Sequence, residues 1–178
     1  MSLRDTSRLS IVWEWHDGSY DRVHIQANDK GWTASGRHGD TRYLIELDEE
    51  FFCRSLEVSS DAQALTLNRT KAGWMNADAE LIPGSADCVD LDLGWAALTN
   101  TFPIKRLMAA EQSAGTFLVM MISLPNLEVR MVKQSYSRQD KGWLYQNTES
   151  GYAALLSVDR HGFVTDYPEL CTRKDLGR

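Results

Sequence analysis

The sequence predicts a mainly β fold: duplicated antiparallel β-meanders forming a pseudo-barrel or sandwich, with a few short helices. Three observations carry that expectation. Apolar and polar residues alternate with period two along nearly the whole chain, Gly, Asp, Asn or Ser turns bound each alternating run, and one spacing pattern occurs twice.

The candidate strands follow in order. SIVWEWHDG, DRVHIQAND, TRYLIELDEE, RSLEVSS and QALTLNR come first; CVDLDL, GTFLVMMISL, LEVRMVKQSYS, GWLYQN and YAALLSVD follow. Each is rich in β-branched, aromatic or aliphatic residues. Helical periodicity is weak. The candidates are EEFFCRSL near Glu50 and the stronger IKRLMAAEQSA, which follows Pro103, stops before Gly115 and contains good helix formers.

The repeat sets the domain organisation. Gly73-Trp74 precedes Val89-Asp90 by the interval that separates Gly142-Trp143 from Val158-Asp159, and Arg69 and Leu67 match Arg138 and Tyr136. Each copy then reaches an aromatic-proline pair, in TNTFPI from Thr99 and TDYPEL from Thr165. The reading is one domain over residues 1–178 in two copies, about 9–92 and 93–170, with a cleft between them where a ligand sits.

Composition bounds the function classes. A chain of 178 residues buries roughly 70% of the surface its unfolded form exposes, so its core needs no disulfides. Three cysteines, Cys53, Cys88 and Cys171, have no CxxC spacing, which fits a reducing compartment. The N-terminal MSLRDTSRLS has charges without an apolar stretch, and the longest apolar run, FLVMMI, is too short to span a bilayer. A soluble cytoplasmic protein is expected, with no transmembrane segment. A net charge of −6 without basic blocks counts against a nucleic-acid surface.

Chemistry concentrates in CVDLDLGWAALTNTFPIKRL, Cys88 to Leu107. On a strand, Val89, Leu91 and Leu93 share one face, read as core, while Asp90 and Asp92 share the other. Thr99, Asn100 and Thr101 read as turn formers that present hydroxyl and amide groups, Pro103 holds Phe102 extended, and Lys105 and Arg106 bring cations close to the aspartates. Arg106 is expected to be at least half buried and bonded to a carboxylate or a backbone carbonyl.

The same stretch resembles the signature of the Putative glycolipid-binding family, which runs roughly G-C-[ILV]-D-V-D-L, a spacer, then T-N-T-L-P-I-R-R-L. The resemblance continues through Gln134 to Tyr136 and through VDRHGFVTDYPELCTR, Val158 to Arg173, so that it covers nearly the whole chain. Asp87, Trp95 to Leu98, Phe102 and Lys105 depart from the pattern. The resemblance implies a duplicated β-rich pseudo-barrel of bacterial type and a glycolipid or other amphipathic ligand. The residues expected to meet it are Asp90, Asp92, Thr99, Asn100, Thr101, Arg106, Gln134 and Tyr136. Gln134 and Tyr136 share a strand face and so can act together.

The residue types suit such a ligand. Six tryptophans, six tyrosines and five phenylalanines supply flat apolar faces with polar edges for sugar rings, although Trp32, Trp74, Trp95 and Trp143, each after a glycine, fit core positions better. Met120, Met121 and Met131 can line an adaptable groove or fill core. An enzyme is not expected: there is no HExxH, GxSxG, P-loop or paired CxxC, and His16, His24, His38 and His161 lie far apart. Asp90 and Asp92 stand about 6 to 7 Å apart along a strand, a separation glycosidases also use, but they point the same way rather than flanking a bond. No cofactor or metal is expected. Three functions remain: a non-catalytic carrier of an amphipathic molecule, a structural or protein-interaction domain, and a hydrolase of a sugar conjugate.

Overall fold

The structure is a computed structural model that describes residues 8–174, so the N-terminal stretch MSLRDTSRLS, read above as lacking a targeting signal, lies outside the described residues as far as Ser7. Fourteen strands and one helix are described. β1 spans Arg8–Trp15, β2 Tyr20–Asn28, β3 Gly31–His38, β4 Thr41–Leu47, β5 Cys53–Ser59, β6 Ala64–Thr70 and β7 Gly73–Met75. After a loop come β8 Cys88–Leu93, α1 Leu98–Ala109, β9 Ala114–Ser123, β10 Glu128–Gln139, β11 Gly142–Asn147, β12 Ala153–Val158, β13 Val164–Tyr167 and β14 Cys171–Lys174.

All fourteen strands form one sheet, in the order β7-β6-β5-β4-β3-β2-β1-β14-β13-β12-β11-β10-β9-β8. The sheet is nearly closed and barrel-like, which decides between barrel and sandwich. β1 pairs antiparallel with β14, joining the first and last strands of the chain. The edges β7 and β8 are tied through Trp74, whose indole N–H donates to the Cys88 carbonyl at 2.9 Å and whose amide donates to Ser85 Oγ at 2.8 Å.

Alternation explains most strands. Val23 and Ile25 of β2, Tyr43, Ile45 and Leu47 of β4, and Cys53, Leu56 and Val58 of β5 point into one core with Trp13, Leu67 and Trp74. Trp32, Trp74, Trp95 and Trp143 are all buried, in line with their core reading. The three cysteines are buried and free.

Three local readings are corrected. EEFFCRSL is not helical: the Asp48 carboxylate accepts from the amides of Glu50 and Phe52 at 3.0 and 2.9 Å, making a tight turn that delivers Cys53 into β5. Thr99, Asn100 and Thr101 are not a turn and Phe102 is not extended, since the helix starts at Leu98 and carries Pro103 inside it. It also ends at Ala109, short of the expected Ala114. The pairing of β8 with β9 supplies the reason. It is parallel, the exception in an otherwise antiparallel sheet, and a parallel pair needs a long crossover, here α1.

The crossover changes β8. α1 covers the aspartate side of the strand: Asp90 is 1% exposed and Asp92 is partly buried, while Val89, expected in the core, is only partly buried.

Candidate functional site

α1 lies across the sheet, held along its length by polar contacts. At its C-terminal end the Arg106 guanidinium grips Asp90 with both terminal nitrogens, Nη1 reaching Oδ1 at 2.9 Å and Nη2 making a still closer contact with Oδ2. Nη1 also donates to the Phe51 carbonyl at 2.8 Å, and the guanidinium lies over the Phe52 ring at 4.3 Å. Only 10% of the Arg106 side chain is exposed, so both expected types of partner are present and the residue is more than half buried. Beside it Lys105 donates to the His161 carbonyl at 2.9 Å and sits between the rings of Phe51 and Phe163. Burial lowers the Lys105 amine to about 8, against the pull of Asp159.

The carbonyl of Phe51 and that of His161 belong to matching turns. Asp159 accepts from the amides of His161 and Phe163 at 2.8 and 3.1 Å, as Asp48 does from Glu50 and Phe52. Phe51 and Gly162 occupy the same left-handed position in the two turns, with φ of 66° and 84°.

At the N-terminal end of α1 the polar set is different. The Thr99 hydroxyl lies 3.1 Å from Asp92 Oδ1 and 2.9 Å from the Ala96 carbonyl, and accepts from the Leu93 amide at 3.3 Å. Gln134 donates to Asp92 Oδ2 at 2.5 Å, and the Tyr136 hydroxyl stands 3.0 Å from Asn100 Oδ1 and 3.2 Å from Gln134 Oε1. Thr101 Oγ1 is buried without a partner among the described residues. Burial pushes the carboxyls of Asp90 and Asp92 above the ordinary range, opposed at Asp90 by Arg106 and at Asp92 by Gln134 and Thr99. The Tyr136 phenol is raised as well, mainly by burial and then by Asp92.

All eight residues singled out from the sequence therefore gather around α1, but not around one ligand-sized space. Asp90, Gln134 and Tyr136 are buried in the network, and Thr101 is buried beside it. Three cavities among the described residues touch α1, and two of them adjoin this network. One of about 560 Å³ lies by its C-terminal half and is lined by Glu49, Phe51, Phe52, Arg106 and Ala110 among others. The other, about 290 Å³, adjoins its N-terminus, where Asp92 and Asn100 meet Trp15, Tyr145, Asn147, Tyr152 and Tyr167.

The second cavity departs from the expected cleft between halves. Apart from Trp15 and Asp92, its walls come from the segment 93–100, β9, β11, β13 and the loops beside them. Met121 lines it, whereas Met120 is core. Sequence reasoning missed Trp15, Tyr145, Asn147 and Tyr152, which come from distant segments. The available signals were the strand spacing that puts Tyr145 and Asn147 on one face and the position of Tyr167 inside TDYPEL. Among the described residues no group of three or more His, Cys, Asp or Glu could hold a metal ion, and no helix is long and apolar enough to cross a membrane.

The family model described as Putative glycolipid-binding matches residues 10–173. The chain belongs to this family. A crystal structure of a DUF1089 family protein from Pseudomonas aeruginosa is similar to it, with a TM-score of 0.66 and 29% identity over 92% of this chain and 90% of the other. No curated protein matches.

Proposed function

We propose that this glycolipid-binding family member binds an amphipathic, sugar-bearing molecule without transforming it, and that the polar headgroup occupies the cavity at the N-terminus of α1. The observation that carries the reading is the composition of that cavity: a carboxylate and two amides, Asp92, Asn100 and Asn147, face the rings of Trp15, Tyr145, Tyr152 and Tyr167. Aromatic faces cover the apolar faces of a sugar while side-chain amides and carboxylates bond its hydroxyls. Trp15 adds an indole N–H that is buried without a partner among the described residues.

Size supports a headgroup rather than a whole lipid. At about 290 Å³ the cavity sits at the small end of ligand pockets. Acyl chains would lie outside it, gaining about 0.8 kcal/mol for each methylene they bury elsewhere.

Two features favour binding over hydrolysis. A glycosidase needs two carboxyl groups around the scissile bond, and Asp90, the nearest partner for Asp92, has both oxygens committed to Arg106. Asp92 is also the one carboxyl group lining the cavity among the described residues.

Titration of the purified chain with short-chain alkyl glycosides below their micelle concentrations, followed by tryptophan fluorescence, tests the proposal. Saturable binding is expected, weakened at least about ten-fold by Tyr145→Ala, with the glycoside recovered intact by mass spectrometry. If no glycoside saturates while the protein remains folded, the protein-interaction reading replaces this one; if the glycoside is cleaved, the hydrolase reading does.

A further inference from the structure

We infer that the headgroup selected by the cavity at the N-terminus of α1 carries a positively charged amine, either as an amino sugar or as an alkylated ammonium group. The inference rests on the headgroup-binding reading above and narrows it.

Charge comes first. Of the described side chains lining the cavity, Asp92 is the acidic one, and no lysine, arginine or histidine is among them. Its carboxylate accepts from Gln134 and lies beside the Thr99 hydroxyl, which leaves lone-pair capacity on both oxygens for another donor. The α1 N-terminus adds a partial positive charge at the same place, with no acidic residue in its first turn, and Asp92 is the group that offsets it.

Ring geometry points the same way. Tyr152 and Tyr167 each lie 6.2 Å from Tyr145, at interplanar angles of 60° and 67°. With Trp15 these three tyrosines put four aromatic rings around one volume, and an electron-rich ring face is what attracts an ammonium group. Four of the protein's own cations lie over rings elsewhere: Lys105 over Phe51 and Phe163, Arg106 over Phe52 and Phe117, Arg69 over Phe52 and Arg22 over Tyr20. None of these six contacts involves a ring of the cavity. A neutral polyol would use the amides of Asn100 and Asn147 equally well, but it would leave the paired attraction of carboxylate and ring faces unused.

Calorimetric titration of the whole chain with methyl glucosaminide, methyl glucoside and choline at neutral pH is the test. The glucosaminide should bind at least about ten-fold more tightly than the uncharged glucoside, and Asp92→Asn should remove that difference. Because Asp92 also supports Thr99 and Gln134, a second variant is needed. Tyr152→Leu alters an exposed ring and should weaken amine binding about 2- to 5-fold, with the melting temperature retained. Choline binding as tightly as the glucosaminide would assign an alkylammonium headgroup; choline failing while the glucosaminide binds would assign an amino sugar. A glucoside that binds as well as the glucosaminide overturns the inference but leaves headgroup binding standing. If none of the three probes binds the folded protein while longer alkyl glycosides do, the inference fails alone; if those fail too, both readings fail.

Discussion

Replacing Arg106 with alanine should destabilise the fold by about 3 kcal/mol, because the substitution leaves a charge in the interior without its partner. Asp90 is 1% exposed and has both oxygens bonded to the guanidinium. The same change removes the bond to the Phe51 carbonyl and the stacking over Phe52 and Phe117. Breaking a buried pair costs roughly 3 to 5 kcal/mol, and the lower end applies because the Arg106 side chain reaches solvent at its margin, where water can enter the vacated space. For a domain of this length about 3 kcal/mol corresponds to a drop of roughly 6 to 12 °C in melting temperature. The loss should also depend on pH. Without Arg106 the folded-state pKa of Asp90 rises further above its unfolded value, so the penalty is small in acid, where the carboxyl is neutral in both states, and grows as pH rises through that folded pKa. Thermal melts followed by tryptophan fluorescence at pH 5 and pH 8 read both effects. Pairing Arg106→Met with Asp90→Leu should restore much of the stability, since an apolar pair of similar volume leaves no buried charge. A single Arg106→Ala variant that melts like the wild type at both pH values would refute the reasoning.

Two further outcomes follow from buried groups elsewhere. Asp21 is fully buried, accepts from the Tyr43 hydroxyl at 3.0 and 2.9 Å, and is pushed by burial from 3.8 up to about 7. The folded state therefore holds its proton over a range where the unfolded chain releases it, so its contribution is full below about pH 4 and is lost as pH rises through about 7. Asp21→Asn keeps an acceptor for Tyr43 and should flatten this fall in a series of urea denaturations from pH 4 to pH 8; parallel curves for variant and wild type would sink the assignment. Gly31 has φ of 134°, and a Cβ there would stand 2.3 Å from the Leu47 carbonyl oxygen. Gly31→Ala should accordingly cost several times the roughly 1 kcal/mol expected for Gly151→Ala, whose φ is also positive but whose Cβ would meet open space; equal urea midpoints for the two variants would count against the tight approach.

The strands that were legible in the sequence are those whose alternation is hydrophobic. β2, β4 and β5 place Val, Ile, Tyr, Leu or Cys at most inward positions, with Asp21 and Thr41 as buried polar exceptions. β3 was not legible, because its residues are Gly, Thr, Ser, Arg and His around Trp32 and Ala34. Gly36 is needed there because the Tyr43 ring packs against its backbone, and a Cβ would lie 2.0 Å from Tyr43 Cζ. β7, β13 and β14 are three or four residues long, too short for a period to appear. The internal repeat shows the limit of spacing as a signal. TNTFPI lies in α1 while TDYPEL lies in β13 and the turn after it, so that pair is not structurally equivalent. Structural likeness is clearer between Gly31-Trp32 with the Asp48 turn and Gly142-Trp143 with the Asp159 turn, where the intervals also agree and the hydrogen bonds correspond. Phe51 in the position of Gly162 obscured this match, since a left-handed phenylalanine carries no sequence mark.

The two aspartates of the CVDLDL strand look interchangeable in sequence but are placed to do different work. Asp90 is closed off: both oxygens face a guanidinium that is itself bonded to a carbonyl across the sheet, so its charge is spent on seating α1 against the Asp48 turn. Asp92 is held less completely, by neutral donors, at the edge of a space walled by aromatic rings. Neutral donors cost less to desolvate than an ion pair and bring no full positive charge against the carboxylate, so Asp92 keeps more of its field than Asp90 does for whatever enters the cavity. Gln134 and Tyr136 then link that carboxylate to Asn100 on the helix, through Asn100 Oδ1 at 3.0 Å from the Tyr136 hydroxyl. Any ligand that draws on Asp92 or Asn100 therefore pulls on the strand and the helix that Asp90 and Arg106 lock together three turns of helix or fewer away. The polar interior that seats α1 is thus the same device that fixes the geometry of the headgroup cavity, which is why a single stretch of sequence supplies strand carboxylates, helix hydroxyls and amides, and a closing cation.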